Sequence, residues 1–369
     1  MKLILLKNNL LAGLGIVERA ITDNPNQPIL KNVLIDAKDN KIYLTSTNLE
    51  LAIKHLVPGK IIETGSTTVP LGLFNNIIKN LNSERVSLEE KNKQFFVNTD
   101  NYEATIQGLG SKDFPIIPSI QNKKNFLQIK SNQFLEVLSK AIVAAQYSDI
   151  RPEISGVLMK YKNNELVLVA TDSFRLTEIK TKNLGEQSLP EETSVVVPLR
   201  TASELLRILT DSEEMLEIFI DSNQILFQTN NTSIISRLID GVFPDYESIL
   251  PKQTKNEIVI NRAEFVNGVK LARVFSGRAN DITLSVGESK KFIEIYSADS
   301  SIGKNSYKIP IKLKGEKLSV TFNWKYLLDG LSIYKNEEIF LGLNASDKPA
   351  IIKNPSEPQA LYVLMPIKS

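Results

Sequence analysis

The sequence contains no cysteine and only one histidine. Without cysteine there is no disulfide, no thiolate zinc site and no cysteine nucleophile. The single histidine, His55, lies in the alternating stretch Ala52–Leu56, where an ordinary strand residue explains it better than a catalytic one. From this inventory we predict a protein that binds no metal and uses no cofactor.

The sequence also lacks long apolar runs and a strong excess of charge. No stretch approaches the roughly 18 apolar residues of a membrane span, and the short apolar stretch Leu3–Leu6 is typical of a strand rather than a signal peptide. The net charge is only +2, so any contact with DNA must come from locally clustered charge or be loose. We expect a cytoplasmic protein.

Motifs of catalysis are missing as well. There is no phosphate-binding loop of the Walker type and no GxGxxG. Thr171–Ser173 places an acid beside hydroxyls, but without a neighbouring base a turn after a strand explains it better. We therefore predict a non-catalytic protein without catalytic residues. An enzyme with a dispersed carboxylate site on a repeated scaffold stays open as an alternative.

The sequence repeats itself. Residues Pro28–Thr47 align without a gap with Pro152–Thr171 at an offset of 124, and seven of the 20 positions are identical. An amphipathic helix also recurs near the start of each repeat, because apolar residues at i, i+4 and i+7 mark one helix face. The three sets of such residues are Leu10, Leu14 and Val17, then Phe134, Leu138 and Ala141, then Phe265, Val269 and Ala272.

Each repeat reads as strand, helix, several strands, strand, helix and several strands. This pattern predicts the α+β class, with three repeated domains that each set two helices against antiparallel sheets. Polar stretches rich in lysine and asparagine separate the repeats. We predict the domains at residues 1–121, 125–252 and 256–369.

The most specific motifs lie in the last two repeats. They are Arg151–Leu158, Ala170–Leu176, Arg237–Tyr246 and Tyr362–Lys368. With the three repeats they resemble the bacterial DNA sliding clamps, the beta subunits of DNA polymerase III, over the whole chain. The resemblance implies a processivity factor that is not itself a catalyst.

The resemblance also implies assembly. In that family two chains join head to tail into a ring of six domains that encircles duplex DNA. Twelve inner helices packed about 10 Å apart form a circle about 38 Å across, which leaves a hole of about 28 Å for a duplex roughly 20 Å wide. A homodimer is therefore expected, whereas a monomeric peptide-binding scaffold without DNA is the other alternative.

The resemblance suggests three groups of site residues. Basic residues expected to face DNA are Lys7, Arg19, Lys79, Lys140, Arg151, Arg200, Arg207, Lys270, Arg273 and Lys325. Residues expected at the dimer interface are Ala104, Ile106, Val274 and Phe275. A cleft for peptides of the polymerase alpha subunit, clamp-loader subunits and other proteins is expected to comprise Ile154, Thr171, Ser173, Phe174, Arg175, Leu176, Pro244, Ile249, Asn323, Tyr326, Val363, Leu364, Met365, Pro366 and Ile367.

Overall fold

The fold is that of a computed structural model, which describes residues 1–22, 26–120 and 123–367. The helices are α1 (Lys7–Val17), α2 (Leu71–Asn80), α3 (Ser131–Ala141), α4 (Leu199–Ile208), α5 (Arg262–Ala272) and α6 (Trp324–Ser332). The strands of the first repeat are β1 (Lys2–Leu6), β2 (Asn32–Lys38), β3 (Lys41–Thr47), β4 (Leu51–Val57), β5 (Gly59–Glu63), β6 (Gly65–Pro70), β7 (Arg85–Lys91), β8 (Gln94–Asn98) and β9 (Glu103–Gln107).

The later repeats follow the same order of elements, except that in the described residues the second repeat has one strand fewer between its two helices. The strands of the second are β10 (Phe126–Lys130), β11 (Gly156–Lys162), β12 (Glu165–Thr171), β13 (Arg175–Thr181), β14 (Thr193–Pro198), β15 (Met215–Ile220), β16 (Gln224–Gln228) and β17 (Thr232–Arg237). Those of the third are β18 (Asn256–Asn261), β19 (Asp281–Val286), β20 (Phe292–Asp299), β21 (Gly303–Pro310), β22 (Lys312–Lys314), β23 (Leu318–Asn323), β24 (Glu338–Leu343), β25 (Ala350–Lys353) and β26 (Ala360–Leu364). The predicted α+β pattern is confirmed.

The chain divides into two compact units. The first comprises Met1–Asn132, Gly185–Leu189 and Arg207–Leu238, and the second comprises Gln133–Leu184, Pro190–Leu206 and Ile239–Ser369. The three predicted domain limits stay a prediction. The limit at residue 121 and the end at residues 368–369 lie outside the described residues.

The first unit contains two antiparallel sheets. One has the strand order β5-β1-β7-β8-β9, and the other has the order β10-β15-β16-β17-β4-β3-β2-β6. The second sheet joins strands of two repeats, because β17 pairs with β4. Its register sets Ser236 opposite Leu51 and Thr232 opposite His55.

The second unit is built in the same manner. One sheet has the order β14-β11-β12-β13-β26-β25-β24-β18-β22, and the other has the order β21-β20-β19-β23. Here β13 and β26 join two repeats, with Arg175 opposite Leu364 and Ile179 opposite Ala360. The offset of 124 makes Leu51 equivalent to Arg175. The two junctions therefore pair their strands in the same register, with Leu51 opposite Ser236 in one and Arg175 opposite Leu364 in the other.

Each of the first helices packs its apolar face on a sheet. The residues predicted from helical spacing are buried on α1, α3 and α5. On α1, Gly13 allows a close approach, because a Cβ there would lie 2.6 Å from Val57 Cγ2. Gly268 occupies the same position on α5, where a Cβ would lie 2.6 Å from Ile295 Cδ1.

We expect Gly13→Val to destabilise the protein by about 2 kcal/mol, since overpacking a closed helix–sheet contact displaces its neighbours. Gly15→Ala is the control, because among the residues that the structure describes nothing beyond the chain neighbours and the helix's own backbone lies within 4 Å of the Cβ position there; it should stabilise the helix by up to about 1 kcal/mol. Urea unfolding followed by circular dichroism measures both. Equal midpoints for the two variants would contradict the close approach.

Candidate functional site

The junction of β13 and β26 brings the predicted cleft residues together. Beyond β26 the chain stays attached to this region, since Met365 N donates to the Phe174 carbonyl at 2.7 Å and Ile367 N donates to the Thr321 carbonyl at 2.8 Å. The apolar segment after Tyr362 is therefore an ordered wall next to the turn before β13.

An apolar cluster lies at this junction. Its buried members are Ile154, Leu158, Val167, Val169, Leu176, Val196, Phe243, Tyr246, Ile351 and Val363. Phe243 and Tyr246 pack edge to face with ring centroids 6.4 Å apart. The Tyr246 hydroxyl donates to Glu178 Oε2 at 2.8 Å, so the buried carboxylate beside the cluster has a partner. Burial, followed by the charge of Glu178, raises the pKa of Tyr246 well above its usual value, which keeps this donor protonated.

A tight turn presents Phe174 to solvent. Asp172 Oδ1 accepts hydrogen bonds from the backbone N–H groups of Phe174 at 2.9 Å and Arg175 at 3.0 Å. The Thr171 hydroxyl donates to the Arg175 carbonyl at 2.7 Å, and Ser173 adopts a positive φ of 78°. The turn holds the Phe174 side chain 60% exposed at the rim.

Arg175 is held by two carboxylates. Its Nε donates to Asp172 Oδ2 at 2.9 Å and its Nη1 donates to Asp329 Oδ2, while the guanidinium lies 4.5 Å from the Tyr326 ring centroid. Burial acts to lower the pKa of Arg175, but the charge interactions with Tyr362 and Asp172 and the two aspartate hydrogen bonds raise it overall. Arg175 is thus a fixed cation next to the turn that presents Phe174.

The other predicted cleft residues lie in the same compact unit. Asn323 caps α6 by accepting a hydrogen bond from Lys325 N at 2.9 Å, and the Tyr326 carbonyl accepts one from the Tyr362 hydroxyl at 2.8 Å. Pro244 is half-buried, whereas Ile249 is 59% exposed. The site therefore combines a closed apolar floor with exposed apolar side chains at its rim.

The basic residues predicted to face DNA differ in their surroundings. The exposed ones are Arg19, Lys79, Arg151, Arg200, Arg207, Lys270, Arg273 and Lys325. Lys140 is only 14% exposed and pairs with Glu136 and Glu357, each at 3.0 Å, which leaves little of its charge for a phosphate. Lys7 donates to the Leu81 carbonyl.

Arg151 lies beside the cleft. It pairs with Glu153 at 3.1 Å and donates to the Ser173 hydroxyl at 2.9 Å. Because Ser173 belongs to the turn that presents Phe174, Arg151 supports this turn, and its contact with DNA stays a prediction.

The predicted interface residues fall into two classes. Val274 is 59% exposed, and Phe275 lies beside Gly303 at the start of β21. Ala104 is half-buried, and the Ile106 side chain is only 3% exposed. The Ile106 side chain packs inside its own unit although β9 is a sheet edge, and the place of these four residues in a dimer interface stays a prediction.

Comparison with known proteins identifies the family. Family models of the DNA polymerase III beta subunit match residues 1–118 (N-terminal domain), 128–245 (central domain) and 247–368 (C-terminal domain). The beta sliding clamp of Staphylococcus aureus (strain Mu50) is 30% identical over 364 residues, which cover 95% of each chain. The chain belongs to the DNA polymerase III beta subunit family.

Relatives from Bacillus subtilis support this membership along the whole beta subunit. The beta sliding clamp of strain 168 is 29% identical over 383 residues, covering 100% of both chains. The crystal structure of the Bacillus subtilis DNA polymerase sliding clamp, 29% identical, superposes with a TM-score of 0.95 and covers 100% of this chain and 99% of that one. The predictions of three beta-subunit domains and, at the level of the family, of a non-catalytic sliding clamp are confirmed.

The described part of this beta subunit has neither a metal-ligand cluster nor a membrane helix. Within residues 1–22, 26–120 and 123–367, no three His, Asp or Glu side chains are placed so that they could share a metal ion. In the same residues, no helix is long and apolar enough to cross a membrane.

Several residues of the site in this beta subunit were not predicted from the sequence. They are Asp172, Glu178, Phe243, Tyr246, Asp329 and Tyr362. The Asx-type turn at Asp172 has a local signal, because an aspartate directly after a strand often bonds the backbone two residues on. Asp329 has none, since it reaches Arg175 across 154 residues of sequence.

Proposed function

We propose that the protein is a sliding clamp that closes around duplex DNA as a head-to-tail dimer and tethers other replication proteins. The observation that carries this proposal is the repeated strand junction. Pairing of β4 with β17 and of β13 with β26 joins successive repeats. The third junction of this kind would join β21 to β9, and in the described part of the chain both are sheet edges.

The internal junctions supply a register for the missing one. The motif Phe95–Val97 aligns with Ile225–Phe227, and Leu51, Arg175 and Gly303 are equivalent in their sheets. A second chain would then pair Gly303 with Ile106, Lys304 with Thr105, Asn305 with Ala104 and Ser306 with Glu103. β21 has eight residues and β9 has five. Unpaired edge strands of this length can pair with other chains and aggregate, whereas pairing β21 with β9 of a second chain removes both edges.

Burial and charge fit this register. Thr105 and Lys304 are exposed, and Ala104 and Asn305 are half-buried, so each pair would share one face. Glu103 would face Ser306, which lies between Lys304 and Lys308 on the same face of β21. Two cations would thus flank one carboxylate across the interface. Phe275 borders Gly303 and, with the exposed Val274 beside it in the chain, would cover the end of this ladder.

The dimer would carry twice the helices of one chain, and the exposed basic residues on them supply a loose attraction for the DNA backbone. Phosphate contacts are independent of sequence, and topology rather than affinity would hold the DNA. This fits a net charge of only +2. The expected partner is duplex DNA of any sequence.

We expect Lys270→Gln to weaken association with a short linear duplex at low salt. Lys270 lies exposed in the last turn of α5, so each lost phosphate contact should lower the slope of log affinity against log salt by about 0.9. Lys140→Gln is the matched control, because its charge is offset by Glu136 and Glu357. Fluorescence anisotropy measures both slopes. Identical slopes for the two variants would contradict this assignment.

The cleft beside β26 binds short peptides of partner proteins in this proposal. A closed floor of Leu176 and Val363 with exposed Phe174 and Ile249 at the rim suits extended apolar segments, and Met365 can adapt to different side chains. The expected partners are the alpha subunit of DNA polymerase III, clamp-loader subunits and other proteins with such peptides. The protein would act in the cytoplasm, on the chromosome.

A further inference from the structure

The first junction between repeats carries an apolar cluster at the same positions as the cleft at the second junction. This cluster consists of Ala52, Ile120, Phe219, Leu226 and Ile235, with Ile117 and Phe126 packed against it. The strand registers make three pairs of cluster residues equivalent, namely Ala52 and Leu176, Leu226 and Ile351, and Ile235 and Val363. The two junctions therefore present the same floor on the same sheet face.

A groove remains open beside the first cluster. It has a volume of about 270 Å³, and we call it the first-junction groove. Its lining residues are Ala52, Lys54, Ile117, Pro118, Ser119, Ile120, Lys123, Leu226, Gln228, Ser233 and Ile235. The segment Ile117–Ile120 lines the groove and packs on the cluster through Ile117 and Ile120, so it forms one wall beside the sheet.

The rim of the groove is cationic. Lys54 Nζ lies 4.0 Å from the Tyr43 ring centroid, and Lys123 Nζ donates to Gln228 Oε1 at 2.9 Å. In the part of the chain that the structure describes, neither lysine has a carboxylate oxygen within 4.0 Å. At the second junction the equivalent of Lys54 is Glu178, so the two sites carry opposite charge at this position.

Burial lowers the pKa of Lys54 and the charge of Lys38 lowers it further, while the charge of Asp36, itself paired with Lys38, offsets part of this. A half-buried ammonium group that lacks an ion-pair partner is stabilised by an incoming anion, since an opposite charge favours the charged form. The exposed ammonium group of Lys123 adds a second cation at the same rim. The groove is therefore complementary to carboxylates next to an apolar side chain.

We propose that the first-junction groove is a second peptide-binding site, which takes an extended acidic peptide of a partner protein. An apolar side chain of that peptide enters between Ile120 and Ile235, and flanking Asp or Glu side chains pair with Lys54 and Lys123. The inference rests in part on the proposed peptide role of the cleft, because the two sites are related by the repeat. The two sites would select different peptides by charge.

Methyl NMR of the full-length protein labelled at isoleucine tests the groove directly. The probe is the acetylated, amidated hexapeptide Glu-Asp-Leu-Ile-Asp-Glu. We expect it to shift the methyl signals of Ile117, Ile120 and Ile235 in a saturable manner and to leave Ile154 and Ile351 unchanged. Shifts confined to Ile154 and Ile351, or no shifts, would overturn the proposal.

Charge-reversal variants test the proposal in a second experiment. Lys123→Glu changes an exposed side chain and should lower the affinity for the hexapeptide probe at least fivefold. Lys91→Glu, an equal change at an exposed residue of the same unit, should leave that affinity unchanged. An unchanged affinity in Lys123→Glu would also overturn the proposal. A labelled peptide for the cleft is titrated in parallel. If the cleft peptide binds and the acidic probe does not, only the proposal of a second peptide site is rejected. If the cleft peptide does not bind, the proposed peptide-binding role of the cleft is rejected.

Discussion

Replacing Thr105 by proline should convert the dimer into a monomer. Gly108 N donates to the Lys93 carbonyl and Thr99 N donates to the Tyr102 carbonyl, so even-numbered residues of β9 direct their backbone groups towards β8. Because the direction alternates along an antiparallel strand, the Thr105 N–H points to the open edge. Proline at position 105 keeps the hydrogen bonds between β9 and β8. It removes the Thr105 N–H donor from the proposed ladder with β21, and its ring adds bulk at that edge.

The expected effect is large. We expect the dimer dissociation constant to rise at least about 100-fold, which corresponds to roughly 3 kcal/mol. Light scattering over a dilution series measures it, since the wild type should approach 83 kDa, twice the 41.3 kDa of one chain. Thr105→Val keeps the N–H and should stay dimeric. If Thr105→Pro is as dimeric as Thr105→Val, the proposed β9–β21 junction is wrong.

Removing residues 365–369 should abolish peptide binding while the dimer persists. The truncation deletes the hydrogen bonds from Met365 N to Phe174 and from Ile367 N to Thr321, and with them the apolar wall opposite the turn that presents Phe174. Affinity for a labelled peptide from the cognate polymerase alpha subunit should fall by a factor of about 100 or more, as is typical for the loss of a central contact.

The control for this truncation is a shorter one. Deleting only residues 368–369 keeps both hydrogen bonds and the apolar wall, so peptide affinity should stay close to that of the wild type. Fluorescence polarisation gives both affinities, and light scattering checks that each variant remains dimeric. If the protein without residues 365–369 binds the labelled peptide with wild-type affinity, the assignment of the peptide-binding cleft is wrong.

The sequence predicted the repeats and the helix faces because periodicity is a local signal. Leu10, Leu14 and Val17 recur with the same spacing in each repeat and are buried as expected. Strand pairing across junctions is not local. No local pattern indicates that β13 meets β26, and only the family resemblance placed Arg175 and Leu364 in one cleft before the pairing was seen.

The charged residues of the site were harder to predict for the same reason. The sequence predicts Arg175 as a cleft residue but not its partners Asp172 and Asp329, which occupy two of its donors. The sequence places Ile106 in a strand but does not indicate that its side chain is buried beside Phe95. Only the sheet register distinguishes which alternate residues face outward.

A designed disulfide tests the central claim most directly. The chain has no cysteine, so Thr105→Cys combined with Lys304→Cys introduces only the intended pair. The predicted register sets these residues opposite each other at a Cα distance of about 5.5 Å, which a disulfide can span. Oxidation should give a covalently closed dimer that stays on circular DNA at high salt and leaves once the DNA is cut. If no cross-link forms, or if the cross-linked protein leaves circular DNA as readily as linear DNA, the closed clamp is contradicted.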